Sequence, residues 1–202
     1  MANSNFIVHN GLTVGSTTIF AGNGDIITSG NLTSTGTVTT IYNENVTGNI
    51  VPTGNVTYNL GAANAWWNRF YGVSTQALYA DLAENYRADR VYPAGQVLMF
   101  GGAAEVTVAD ADTTKVAGIV STNPAHLMNG GLQGTNVTPL ALMGRVPCMI
   151  IGPVAKGDLM VSAGWGFAKA NNDAAVGQVV GKALEDFPSA AKGVIEVVVG
   201  RV

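Results

Sequence analysis

Asp81 and Glu84 lie three residues apart in "YADLAENYRAD", beside Tyr79 and Tyr86 and ahead of Arg87, Asp89 and Arg90. Two close carboxylates can share a proton, which raises one pKa into acid–base range. That pairing would suit a peptidase or a glycosidase. On a helical turn this spacing puts both acids on one face. The same face would also carry Arg87 and Arg90, three and six residues beyond Glu84, and could pair its charges. A structural role for the acids is therefore expected, with Asp81 and Glu84 as the catalytic alternative.

Other groups invite weaker chemistry. Ser121 and His126, with Asp110 and Asp112 upstream, supply the types of a nucleophile, a base and an orienting acid. No nucleophile elbow surrounds Ser121. "ADADTT" (109–114) offers two acids to a cation but lacks the further spaced oxygens of a calcium loop. No P-loop lysine or dinucleotide fingerprint accompanies the glycine clusters. Neither a metal nor another cofactor is expected.

The elements that must position these groups read as strands. Only 11% of the 202 residues are charged, against about 25% in ordinary globular chains. Glycine supplies 26 residues, and Val, Thr and Asn recur. Val and Thr favour strands, and Gly and Asn favour turns. The net charge of −3, with no basic run, leaves no footprint for a nucleic-acid backbone. No apolar run approaches the ~20 residues of a membrane helix, and the opening "MANSNFIVHN" does not read as a signal peptide. The lone Cys148, in "VPCMIIGPV", reads as a buried free thiol.

Residues 1–68 hold Asp25, Glu44 and His9 but no Lys or Arg. Short alternating pieces such as "TTIF" and "DIIT", bounded by Gly and Asn, read as strands too small to bury a face alone. Packed against copies of themselves around a threefold axis, they could share a core. Residues 1–57 are thus expected to form an attachment arm or β-shaft. Residues 58–92 read as an aromatic junction and short helical linker. There Trp66, Trp67, Phe70 and Tyr71 have the i, i+3, i+4 spacing of a helical turn and should pack as a plug.

Residues 93–202 carry a repeat. "PAGQVLMF" (93–100) matches "AKGDLMVS" (155–162), "KVAGIVS" (115–121) matches "AVGQVVG" (175–181), and "LALMGRV" (140–146) matches "EVVVGRV" (196–202). "PCMIIGPV" reads as a further strand joining the halves. The expected fold is all-β: an extended N-terminal arm, then a compact β-barrel or sandwich with an internal pseudo-twofold repeat. The long loop 121–137, with Ser121, Asn123, His126 and Asn129, is the expected interaction loop, since binding concentrates on loops of a rigid scaffold.

Two resemblances follow from these motifs. "NLG" with "W-x-R-x-Y-G" in residues 59–72 resembles a junction element of bacteriophage tail-fibre proteins. "YADLAENYRAD", "PAGQVLMFGG", "VAGIVSTNPAHLMN", "GRVPCMIIGPVAKGDLMV" and "GVIEVVVGRV" resemble a C-terminal domain of tailed-phage virion and fibre proteins, in the sense of T4-like phages of marine cyanobacteria. That domain is similar to the peptidase G2, intramolecular-chaperone group. In that group, acids at the domain start drive release of a chaperone segment, and Asp81 and Glu84 fall in the matching motif. "AENYRAD" stands here in place of the group's "FEW-DGN". The resemblance implies a virion protein, assembled in the host cytoplasm, acting as a homotrimeric fibre of tail, baseplate or capsid. Its arm would contact other virion proteins, and a host surface glycan is a further partner on the adhesin alternative. No catalysis, nucleic-acid binding or membrane insertion is required.

Overall fold

The computed structural model describes residues 49–73 and 76–200. Most of the arm and β-shaft expected over 1–57, up to residue 48, lies outside the described residues. The chain divides into two units, Met1–Asn68 and Arg69–Val202.

In the second unit ten strands follow one another: β1 Asp81–Arg87, β2 Val97–Phe100, β3 Val106–Val108, β4 Val116–Val120, β5 His126–Met128, β6 Val137–Ile151, β7 Leu159–Gly164, β8 Phe167–Ala170, β9 Val179–Ala183 and β10 Lys192–Val199. No helix occurs among the described residues. The β-branched runs "VAGIV", "VVGKA" and "GVIEVVV" explain this, since such side chains pack well on a pleated surface and lose rotamer freedom in a helix.

The strand order β6–β10–β9–β7–β8 returns to β6 through Ile150 beside Ala168, so the second half is a closed five-strand barrel. The first half repeats it. β1, β6, β4, β2 and β3 are neighbours in that order, and β3 returns to the end of β1 through a bridge between Ala88 and Val106. Both closing contacts are parallel, and each lies 62 positions from its counterpart. "PCMIIGPV" therefore is not a separate strand joining the halves, since Pro147–Ile151 is the C-terminal end of β6. The 15-residue β6 runs through both halves, serving the first with its N-terminal part and the second with its C-terminal part.

The repeat expected from the sequence is present, with two corrections of register. Leu98 pairs with Gly118, and Met160 pairs with Gly181, so Gly118 corresponds to Gly181 and not to Gln178. Val120 pairs with Leu140, and Ala183 pairs with Val197, which moves the third match by one residue. The connections between the matched strings differ in length in the two halves, while each half carries a β-bulge at the same place, just after Leu98 and just after Met160. A bulge inserts a residue that apolar strings do not reveal.

The core follows the same symmetry. Ala88, Tyr92, Leu98, Val106, Val120 and Leu140 form one buried cluster. Their counterparts Ile150, Val154, Met160, Ala168, Ala183 and Val197 all belong to the second. Gly144 marks the handover point on β6, with φ +110°. A Cβ there would run into the Ala80 carbonyl and lie 2.8 Å from Asp81 Cα. Only glycine lets β1 cross so closely.

Candidate functional site

The stretch that raised the question of catalysis is β1 and not a helix. Its ladder partner, the first half of β6, lies antiparallel opposite every residue from Asp81 to Arg87, with one bulge between Leu82 and Ala83. This pairing overrides the local helical spacing. Strand alternation then sends Asp81 and Glu84 to opposite faces. The expected shared face is corrected on that ground.

Glu84 faces Leu140 across the ladder as Val146 faces Val197, and Tyr86 faces Thr138 as Cys148 faces Ile195. The acid thus stands where the other half of the repeat has a core valine. The half-buried Tyr86 answers it by donating its hydroxyl proton to Glu84 Oε2 at 3.0 Å. Desolvation, then the Glu84 hydrogen bond and the charges of Glu84 and Glu105, hold the Tyr86 hydroxyl above its usual range. Asp81 is only 4% exposed, and its Oδ2 has no hydrogen-bond partner among the described residues.

The expected pairing of Glu84 with Arg87 or Arg90 is also corrected. Arg87 lies 3.8 Å from Glu105, whose other oxygen accepts the Arg87 backbone N–H at 2.7 Å. The Arg87 Nε donates to the Gln133 carbonyl at 3.1 Å. Arg90 lies over the Tyr92 ring at 5.0 Å. A network the sequence did not announce fixes this corner. Tyr92 Oη donates to Asp89 Oδ1 at 2.6 Å and Thr107 Oγ1 donates to Oδ2 at 2.8 Å, while the Val108 N–H donates to Tyr92 Oη at 2.9 Å. The Tyr92 hydrogen bond leads the effects that hold Asp89 below the ordinary carboxylate range.

Loop 121–137 is less free than expected. Its middle forms β5, pairing in parallel with β1 through Leu82 with His126, Ala83 with Leu127 and Glu84 with Met128. Asn129 adopts φ +54° and exchanges hydrogen bonds with Asn85, side chain to carbonyl in both directions, at 3.2 and 3.3 Å. Asn129 is therefore a clamp on β1. Asn123 and His126 are exposed. Ser121 is buried with an unpartnered Oγ, and Asp112 pairs with Lys169 at 2.8 Å. No hydrogen bond joins Ser121 to His126 among the described residues, so the structure does not assemble that triad.

Each unit holds part of the aromatic block. In the first, Ala62 and Ala65 exchange two N–H···O bonds of 3.1 Å, and Trp66 Nε1 donates to the Ala63 carbonyl at 2.8 Å. This is a tight turn in place of the expected helical turn, as suits a segment punctuated by Asn59, Gly61 and Asn64. In the second unit, Arg69 donates to the Tyr71 hydroxyl at 3.1 Å. Trp66 and Trp67 are each 67% exposed, Phe70 73% and Tyr71 84%. Among the described residues these rings plug nothing.

Cys148 is fully buried, as the sequence suggests, and burial pushes its thiol from 9.0 up to about 12. A raised thiol stabilises the fold below pH 9, and that contribution disappears as the pH climbs toward 12. Native protein at pH 8 is expected to leave a thiol reagent such as dithiobisnitrobenzoate unreacted. Reaction should appear only with unfolding, by denaturant or by alkali. Prompt labelling of native protein would contradict the buried assignment.

No protein-family model matches the chain, and no curated protein matches it. Among solved structures, the chain is similar to one described as "Crystal structure of the pre-mature bacteriophage phi29 gene product 12". The match has 12% identity and a TM-score of 0.48. It covers 65% of this chain and 23% of that chain, so this protein corresponds to about a quarter of its length.

Proposed function

We propose that the chain is a structural component of a tailed-phage virion. It acts as a short homotrimeric fibre whose N-terminal arm attaches to other virion proteins and whose tandem β-domain forms the knob. The observation that carries this reading is the exposure of large apolar side chains between Ile50 and Tyr79. Twelve of them, including Tyr58, Trp66, Trp67, Phe70, Tyr71 and Tyr79, are 48–90% exposed. The only charge from Asn45 to Ala80 is Arg69. Six rings, each with roughly 150–250 Å² to bury, leave about 800 Å² uncovered. Summed over the two units, that is comparable to the ~800 Å² per partner of a standard interface. The resemblance of "W-x-R-x-Y-G" to tail-fibre junctions supports placing that interface in a fibre.

Catalysis is not needed in this reading. The separation of Asp81 and Glu84 onto opposite faces of β1 supports a structural role for both. Chain length after particle assembly tests the point. Wild type and the Asp81→Asn, Glu84→Gln double variant are expected to run at one length, with wild type at 20.8 kDa. A shortened wild-type product that disappears in the variant would instead establish self-cleavage.

A further inference from the structure

The two halves of the tandem are treated unequally on one face. In the first half, Val97, Ile119 and Ala141 alternate with the Leu98 cluster and are fully buried among second-half side chains. Their ladder counterparts in the second half, Leu159, Lys182 and Val198, are only half-buried. Beside them a hollow is lined by Ala80, Met143, Gly144, Arg145, Leu184 and Val198. Met143 is 55% exposed. Arg145 makes no salt bridge among the described residues. The repeat thus shows this face covered once and open once.

The same unit carries an unsatisfied surface of the matching kind. Phe70, Tyr71 and Val73 are 73%, 84% and 90% exposed and lie on no core. They contain no carboxylate, so what they offer a guanidinium is a π-face. We propose that the Phe70–Tyr71 step of one copy seats in the Met143–Arg145 hollow of a second copy. The rings would cover Leu184 and Val198 and lie against the Arg145 guanidinium. Two different patches of one chain meet in this contact, so it is head-to-tail. Such contacts close into a ring when the rotation allows, and three copies give a closed trimer. The inference rests on the homotrimer reading and adds which surfaces meet.

Engineered disulfides test it, because Cys148 is buried and does not compete. Chains carrying Tyr71→Cys and chains carrying Met143→Cys are refolded together under reducing conditions and oxidised only once native. A linked pair of chains on a non-reducing gel is expected from the mixture and from neither variant alone. A chain carrying both substitutions should link into three-chain species. Light scattering on the same samples separates the failures. Three protomers without the mixed link, or a link between two Tyr71→Cys chains, overturns the seating and leaves the homotrimer standing. A double variant that closes within its own chain also overturns it, and a mass of one protomer removes both.

Discussion

Leu140→Ala is expected to destabilise the Arg69–Val202 unit by about 2–5 kcal/mol, the range for truncating a buried leucine. Leu140 is fully buried at the middle of the first half of β6. It faces Glu84 on β1 and Val120 on β4, and packs with Leu98, Val106 and Tyr92. Strands on both sides hold it, so the cavity left behind has little room to collapse. Met143→Ala, three positions along the same strand and 55% exposed, is the control. Its cost in the isolated subunit should stay near the ~0.5 kcal/mol of surface changes. Urea midpoints at constant slope report both values. Equal losses for the two variants would contradict the assignment of the first-half core.

Gly118→Val and Gly181→Val should each cost about 3 kcal/mol and prevent clean refolding. These glycines occupy the same place in the two halves, at the bulges opposite Leu98 and Met160. A Cβ on Gly118 would lie 2.8 Å from the Ala141 carbonyl oxygen. On Gly181 it would strike the Val198 carbonyl and lie 2.8 Å from Val197 Cγ1. The obstacle in each case is the backbone of the neighbouring strand, which cannot swing aside as a side-chain tip can. Gly157→Ala is the contrast, since a Cβ there meets nothing within 4 Å. Its φ of +94° still strains the backbone, but without collision. Circular dichroism and thermal melting of the three variants measure the difference. If either valine variant melted like wild type, the strand register derived for the repeat would be wrong.

The sequence made the repeat legible because buried strands must keep apolar strings such as "QVLMF" and "GDLMV" in both halves. Register was not legible, since the bulges at Gly118 and Gly181 change no residue type. The helical spacing of β1 misleads because its partner lies fifty or more residues away in β6, and local spacing carries no trace of it. The counterpart of β1 in the repeat does carry a strand signal. "ENYRA" occupies the place of "VPCMI", which nobody would read as an amphipathic turn. β5 escaped notice for a related reason: a three-residue strand against β1 has no periodicity to detect. Asp81 and Glu84 drew attention as acids three apart. Their separation onto two faces depends entirely on that unseen pairing. The exposure of Trp66, Trp67, Phe70 and Tyr71 was not legible either, because ring spacing shows where aromatics cluster and not whether a partner surface covers them.

The mass of the full chain in solution, measured by multi-angle light scattering at micromolar concentration, tests the central claim most directly. On the proposed reading, partner copies cover the exposed apolar segment between Ile50 and Tyr79, and three protomers of 20.8 kDa make one particle. A single stable species of that composition is the expected result. A clean monomer at the same concentration, with Trp66, Trp67, Phe70 and Tyr71 still open to water, would contradict it.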